Sequence, residues 1–255
     1  KKNRKMPRNK GKPPYISIIT VVYNGEQYLD ECIESVENQT YQDYEYIIID
    51  GRSSDNTVEV IKRHDANIDY WISEKDSGIY DAMNKGVQAS RGQWIYFLGC
   101  DDKLFSPETL KKIAPQLLES KCQLAYGNIK NSNGATVRSK YGHKLLLHNT
   151  IHHQSCFYNR GLYNKFQYDS SLKAISDYEL NLICHLAKMP GLKLNETIAY
   201  CRDGGASTTP QNYPLFIRET NIIRSRHLGN FIGKVLRITF TLKARAHHAL
   251  RHIQL

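Results

Sequence analysis

The run ISIITVVYNGEQYLDECIESVENQTYQDYEYIIIDGRSSDNT, residues 16–57, holds two apolar β-rich segments separated by one helical stretch. ISIITVVYN (16–24) is dense in β-branched residues, too short for a helix, and bounded by the turn pair Asn24-Gly25. Tyr28, Leu29, Cys32, Ile33 and Val36 then recur at helical spacing within 26–38. YEYIIID (44–50) is a second buried strand that stops in the turn-rich GRSSDNT. Strand, helix and strand in that order predict a right-handed βαβ unit in a mainly parallel sheet.

The alternation continues outward. Val58 to Arg63 reads as a helix and Asp69 to Ser73 as a short strand. Ile79, Ala82, Met83, Gly86 and Val87 make one face of another helix. WIYFL (94–98) is a fourth strand, running straight into Gly99-Cys100-Asp101-Asp102. Beyond 103, Pro107 to Ser120 predicts a helix, QLAYGNI (123–129) a strand, and NSNG (131–134) a hairpin turn. The segment SDYELNLICHLAK (176–188) predicts a helix with Ser176 as its cap and Glu179 at the capping-box position. LKLNETIAYCR (192–202) reads as a strand or strand pair, followed by the loop DGGASTTPQN.

Composition narrows the class. No stretch approaches the roughly 18 uncharged apolar residues of a membrane span, and the basic, polar start has no signal-peptide core. The six cysteines lack CxxC spacing, which predicts free thiols in a reducing cytosol. The net charge of +10 is unevenly placed. Residues 1–12 hold seven Lys/Arg and no acid, and 217–255 hold eight and one acid, leaving the body 13–216 near −4. A nucleic-acid enzyme carries its basic surface on the catalytic body, so no nucleic acid is expected. Basic ends instead predict contact with an anionic membrane surface, aided by an amphipathic pattern from Phe231 to Ile253.

Ligands of parallel sheets gather at the carboxyl ends of the strands, which singles out Tyr23-Asn24, Asp50 and Asp101-Asp102. Two adjacent carboxylates after a buried strand call for a compensating cation or hydrogen bonds. A hard divalent ion would serve and would also neutralise a diphosphate; an ordinary capping turn is the alternative. Asp50 can accept from a base or a ribose, whereas Asp55 reads better as a helix cap. SEKDSGIYDAMNKG (73–86) crowds Asp76, Asp81 and Lys85 around a glycine at a helix start, a place suited to phosphate. No GxGxxG or GxxxxGK[ST] loop is present.

These segments, in order with RGQWIYFLGCDD, resemble the family-2 glycosyltransferases over about residues 15–205. The GIYDAMNKG form is similar to enzymes that build bacterial surface and capsular polysaccharides. The resemblance implies a GT-A fold: an α/β, Rossmann-like, mainly parallel sheet flanked by helices. The expected organisation is a basic disordered segment 1–14, a GT-A domain 15–215 and a basic amphipathic helical tail 216–255. Within the domain, 15–102 would be the nucleotide and metal half and 103–215 the acceptor half.

Carried over by position, Thr20, Val22, Tyr23 and Asn24 would line the base and ribose, with Glu26 nearby and Asp50 on the uracil or ribose side. Asp76, Asp81 and Lys85 would hold the ribose–diphosphate region. Asp102, with Asp101, would bind Mg²⁺ or Mn²⁺, and His153 would be a metal ligand or phosphate contact beside Gln154. Gly205 and Ser207 would close over the donor diphosphate, assisted by Arg202. Asp177 would be the catalytic base. The family often has Asp-Asp-Gly where this chain has Asp50-Gly51-Arg52, and Asp or Ser where it has Gly99-Cys100. The reaction implied is inverting transfer from a nucleotide-sugar, with UDP expected, to a glycan or lipid-linked acceptor on the cytoplasmic side of the membrane. A sugar-phosphate nucleotidyltransferase and a non-catalytic binding module are the alternatives.

Overall fold

The computed structural model describes residues 3–4, 12–202 and 212–229. In chain order the elements are β1 (Asn3–Arg4), β2 (Ile16–Val22), α1 (Leu29–Glu37), β3 (Tyr44–Asp50), α2 (Thr57–Arg63), β4 (Tyr70–Ser73), α3 (Ile79–Ala89) and β5 (Trp94–Phe97). There follow β6 (Lys103–Leu104), α4 (Thr109–Glu119), β7 (Leu124–Asn131), β8 (Thr136–Arg138), β9 (Cys156–Asn159), α5 (Ser176–Leu186), β10 (Gly191–Cys201) and α6 (Tyr213–Leu228).

All ten strands join one sheet in the order β1-β4-β3-β2-β5-β9-β7-β10-β6, with β8 on β7. β2 lies parallel between β3 and β5, and β4 continues parallel beyond β3. β9 runs antiparallel to both β5 and β7, which β10 follows in parallel. The fold is therefore the GT-A arrangement, a mainly parallel sheet with antiparallel insertions.

Alternation along β2 and β3 builds two cores, because successive side chains leave opposite faces of a strand. Ile16, Ile18, Tyr44, Tyr46 and Ile48 pack with α1, α2 and α4. Ile19, Ile47 and Ile49 pack with α3, α5 and α6 on the other face. Burial on both faces explains the near-continuous apolar runs, and each such side chain contributes roughly 1.5–3 kcal/mol.

Two details differ from the sequence-based expectation, and a third decides between two readings that the sequence leaves open. Ser176 is the first helical residue of α5 rather than its cap; the cap position is Ile175, with no capping side chain. The Ser176 hydroxyl accepts from the Asp169 N–H instead, and Glu179 is drawn to Arg226 and His227. Residues 191–201 form one strand with two register shifts, not a strand pair. The 215/216 boundary falls inside α6. Glu219 of α6, fully buried, accepts from the backbone N–H groups of Lys173 and Ala174 at 2.8 and 2.9 Å. The first part of the expected tail thus braces the loop that leads into α5, and the segment from 230 lies outside the described residues. No helix among the described residues is long and apolar enough to cross a membrane.

Candidate active site

The chain leaves β2 for β3 and β4 on one side and returns to β5 on the other, so a crevice opens beyond the carboxyl ends of β2 and β5. On its β2 side the loop is laced to the loop after β3. Asn24 takes a left-handed φ of 51° that Asn tolerates well. Its N–H donates to Ser53 Oγ at 2.7 Å, and its side-chain oxygen accepts from the Ser54 N–H at 2.9 Å. Glu26 accepts from Asn56 N–H at 2.8 Å, and Asp55 accepts from Thr57 N–H at the start of α2. Val22 is buried, while Tyr23 is 65% exposed and free to meet a planar ligand.

Two residues expected on this rim point inward. Thr20 is fully buried, its hydroxyl 3.1 Å from the Tyr46 hydroxyl beneath α1, so only its backbone can serve a ligand. Period-two alternation puts residue 20 on the same face as Ile16 and Ile18. Asp50 is likewise fully buried, and the Ser53 and Ser73 hydroxyls donate to its two oxygens at 2.5 Å each. It organises the loop, since Ser53 in turn holds Asn24. Arg52 sits at φ 65°, in the left-handed region that favours glycine. That is the position where the resembling family often has Gly.

Gly51 lets Asp76 close over the end of β3: a Cβ there would stand 2.5 Å from Asp76 Oδ2. Asp76 accepts from the Gly78 N–H at 2.9 Å, and Asp81 accepts from Ser77 N–H at 3.0 Å, so both shape the start of α3. Gly78 adopts φ 123°, open only to glycine. Lys85 is shared between Glu74 at 3.2 Å and Asp81 at 3.6 Å.

On the β5 side, Asp102 is 4% exposed. Burial first, then the neighbouring Asp101 carboxylate, pushes its pKa up to about 6. It accepts from Gln154 Nε2 at 3.0 Å and from the Arg202 N–H at 3.1 Å. The Arg202 side chain donates from Nε to the Asp101 carbonyl at 3.1 Å and pairs with Glu31 at 2.9 Å. Its guanidinium also lies 4.6 Å from the centre of the Tyr28 ring. Arg202 therefore ties the end of β10 to the aspartate loop. Glu31, on the exposed side of α1, gave no signal in the sequence, because a charged residue on a solvated helix face is ordinary.

Gly99 decides whether a cation fits. The point where its Cβ would stand lies 2.6 Å from Asp102 Oδ2 and 3.0 Å from Asp101 Oδ1. Both carboxylates thus face a gap that a side chain would fill. Among the described residues no three His, Cys, Asp or Glu side chains gather into a metal cage. The two carboxylates facing the gap would fit Mg²⁺ or Mn²⁺, ions held by one or two carboxylates with substrate phosphates and water.

His153 and Gln154 open the short turn His153–Ser155 before β9. While Gln154 reaches Asp102, His153 Nδ1 stands 3.9 Å from Asp177 Oδ2, and burial pushes the imidazole pKa down to about 4, keeping it neutral. Asp177, in the first turn of α5, is 8% exposed. Burial pushes its carboxyl up to about 6, although Asn149 Nδ2 donates to Oδ2 at 2.9 Å. The Tyr80 hydroxyl is 3.5 Å from Oδ1. Two consecutive residues therefore reach from the aspartate loop to Asp177. Gly205 and Ser207 lie outside the described residues. Asn149 carries no sequence signal of its own, because it sits in a polar stretch without periodicity.

Residues 17–176 match the model of "Glycosyl transferase family 2". The chain belongs to that family. A "PGL/p-HBAD biosynthesis glycosyltransferase" of Mycobacterium bovis is 32% identical to this family-2 glycosyltransferase over 178 residues, 67% of this chain and 70% of that protein. The structure of S. aureus TarS 1-349 in complex with UDP-GlcNAc has a TM-score of 0.68 at 18% identity, covering 89% of this chain and 71% of that one. The mannosyltransferase PcManGT from Pyrobaculum calidifontis, in complex with GDP-Man and Mn²⁺, has a TM-score of 0.61 at 13% identity, covering 91% and 65%. The chain spans 65% of another TarS 1-349 structure and 39% of a longer TarS structure. At these identities the structural neighbours speak for the fold.

Proposed function

We propose that this family-2 glycosyltransferase moves a sugar from a UDP-sugar to a hydroxyl of a glycan or lipid-linked acceptor, in bacterial surface polysaccharide synthesis, by a single inverting displacement. The observation that carries the reading is that consecutive residues bring two buried carboxylates into one crevice: Gln154 donates to Asp102, and His153 Nδ1 stands 3.9 Å from Asp177. The UDP-GlcNAc complex of TarS supports the donor class.

Tyr23, Asn24 and Glu26 form the base and ribose side, while Asp76 and Asp81 order the loop entering α3. Asp101 and Asp102 would hold Mg²⁺ or Mn²⁺, which supplies positive charge against the leaving diphosphate. Asp177 takes the proton of the acceptor hydroxyl. The acceptor oxygen forms its bond to the anomeric carbon as the bond to the phosphate oxygen breaks, and UDP leaves with that electron pair. A carboxyl held near 6 is ionised at neutral pH yet basic enough to share the proton in the transition state. Neutral His153 adds no competing charge. The test is a panel of α-linked UDP-sugars, screened by mass spectrometry, with the product's anomeric coupling read by NMR. A β-linked product is expected. An α-linked one contradicts single displacement, and no turnover across the panel contradicts the donor class.

The same proposal places the enzyme at the cytoplasmic face of the membrane, held there by basic residues in 1–12 and 230–255. Each basic residue near an anionic surface contributes about 1 kcal/mol. Deleting 230–255 should weaken sedimentation with anionic liposomes, and deleting 1–12 as well should abolish it; unchanged sedimentation after both deletions contradicts this placement.

A further inference from the structure

Asp177 ends a hydrogen-bond chain that starts in the sheet and runs in one direction. On β9, the Tyr158 hydroxyl donates to Asn181 Oδ1 at 2.8 Å. Asn181, one turn beyond Asp177 on α5, donates from Nδ2 to Asn149 Oδ1 at 3.2 Å. Asn149 then donates from Nδ2 to Asp177 Oδ2 at 2.9 Å. The direction is forced. The Ile151 N–H lies 3.3 Å from Asn149 Oδ1 and can only donate, which pins the oxygen end of that amide. Its nitrogen end must face Asp177, and Asn181 must offer its own nitrogen to Asn149 and its oxygen to Tyr158.

Stability alone does not explain these residues. Asn181 is fully buried between Leu180 and Leu182, and Asn is a weak helix former. Burying an amide costs about 1–3 kcal/mol unless it is bonded, and a leucine would suit the same face better. Tyr158 is fully buried too. What the chain accomplishes is asymmetry at the carboxylate. Oδ2 accepts from Asn149 at 2.9 Å, whereas the Tyr80 hydroxyl stands 3.5 Å from Oδ1, the outer limit of a hydrogen bond. The backbone N–H groups of Asp177 and Tyr178 also bond the carboxyl, and Asn149 supplies the side-chain donor that distinguishes its two oxygens.

We infer that Tyr158, Asn181 and Asn149 form a donor chain that fixes the orientation of Asp177, so that Oδ1 is the oxygen presented to the acceptor hydroxyl. Asn149 is its positioning residue. This rests on Asp177 being the base. The chain would also keep the carboxylate from rotating as the acceptor arrives, because turning it would break a hydrogen bond to a charged group.

The test uses the full chain with Asn149→Leu and Tyr158→Phe, each close in size to the residue replaced. Loss of one hydrogen bond to a carboxylate should lower kcat about 10- to 100-fold in Asn149→Leu, and about three- to tenfold in Tyr158→Phe, one link removed. UDP affinity, measured by calorimetry, should stay within about twofold, since the chain touches only the base. In an Asp177→Asn background Asn149→Leu should add no further loss, because its effect passes through Asp177. Crystal structures of both single variants should show the Asp177 carboxylate turned from its wild-type orientation. Unchanged kcat with an unmoved carboxylate, or an equal added loss in the Asp177→Asn background, overturns the inference while leaving the base assignment intact. Full activity of Asp177→Asn overturns the base assignment and this inference with it. Should Asn149→Leu fail to fold, Tyr158→Phe removes a single oxygen and tests the same donor chain through a smaller loss.

Discussion

Gly99→Ala should cut UDP release by at least about 100-fold while leaving the fold standing, the loss of several kcal/mol of charge stabilisation at the leaving group. The added Cβ would stand 2.6 Å from Asp102 Oδ2 and 3.0 Å from Asp101 Oδ1, well inside contact distance. The Asp102 side chain cannot retreat freely. Asp102 is held by Gln154 and the Arg202 N–H, and Asp101's backbone by Arg202 Nε. Gly99 does not belong to the positive-φ glycines, so alanine suits its backbone. The remaining cost is the local overlap, so thermal stability should fall by about 1–3 kcal/mol. Asp102→Asn, which keeps the volume and removes the charge, should match it in activity. Calorimetry with UDP and Mn²⁺ separates the causes: both variants should lose the metal-dependent part of UDP affinity. Wild-type turnover in Gly99→Ala would mean that Asp101 and Asp102 do not face the diphosphate.

The part of the chain up to Asp102 was largely legible in the sequence, and for a physical reason. Its strands are short, apolar on both faces and separated by helices of clear period, so ISIITVV and YEYIIID could only be neighbouring buried strands. Its candidate groups sit where such strands end. The differences there concern direction rather than place. Thr20 and Asp50 lie on the right strands, but one-residue alternation turned Thr20 toward Tyr46, and the serines after β3 and on β4 claimed both oxygens of Asp50. Hydrogen-bond partners that are distant in sequence leave no periodic trace.

The part beyond 103 was less legible because its candidate residues are assembled from a loop, a turn and two helices. Asp177 was readable as an acid in a first helical turn. Asn149 and Asn181, which hold it, were not, because they meet only through the packing of α5 on the sheet. Glu31 and Arg202 are a similar case: 171 positions apart in the chain, they meet over the aspartate loop. The role of α6 was also hidden. From residue 216 it reads as part of a basic amphipathic tail, yet Glu219 and Arg226 brace the segment around Asp177.

The central claim is that Asp177 is the base for attack on a nucleotide-sugar bound across the crevice. Asp177→Asn replaces the carboxylate with an amide of the same shape that cannot take a proton. General-base catalysis contributes about 10²- to 10⁴-fold, so transfer should fall by that factor. The donor side should be little changed, because the amide keeps the size and shape of the carboxylate among Tyr80, Asn149 and His153. The decisive measurement is UDP affinity and sugar transfer on the same preparation of Asp177→Asn. Wild-type UDP affinity with transfer reduced at least about 100-fold is predicted; transfer at the wild-type rate would contradict the account.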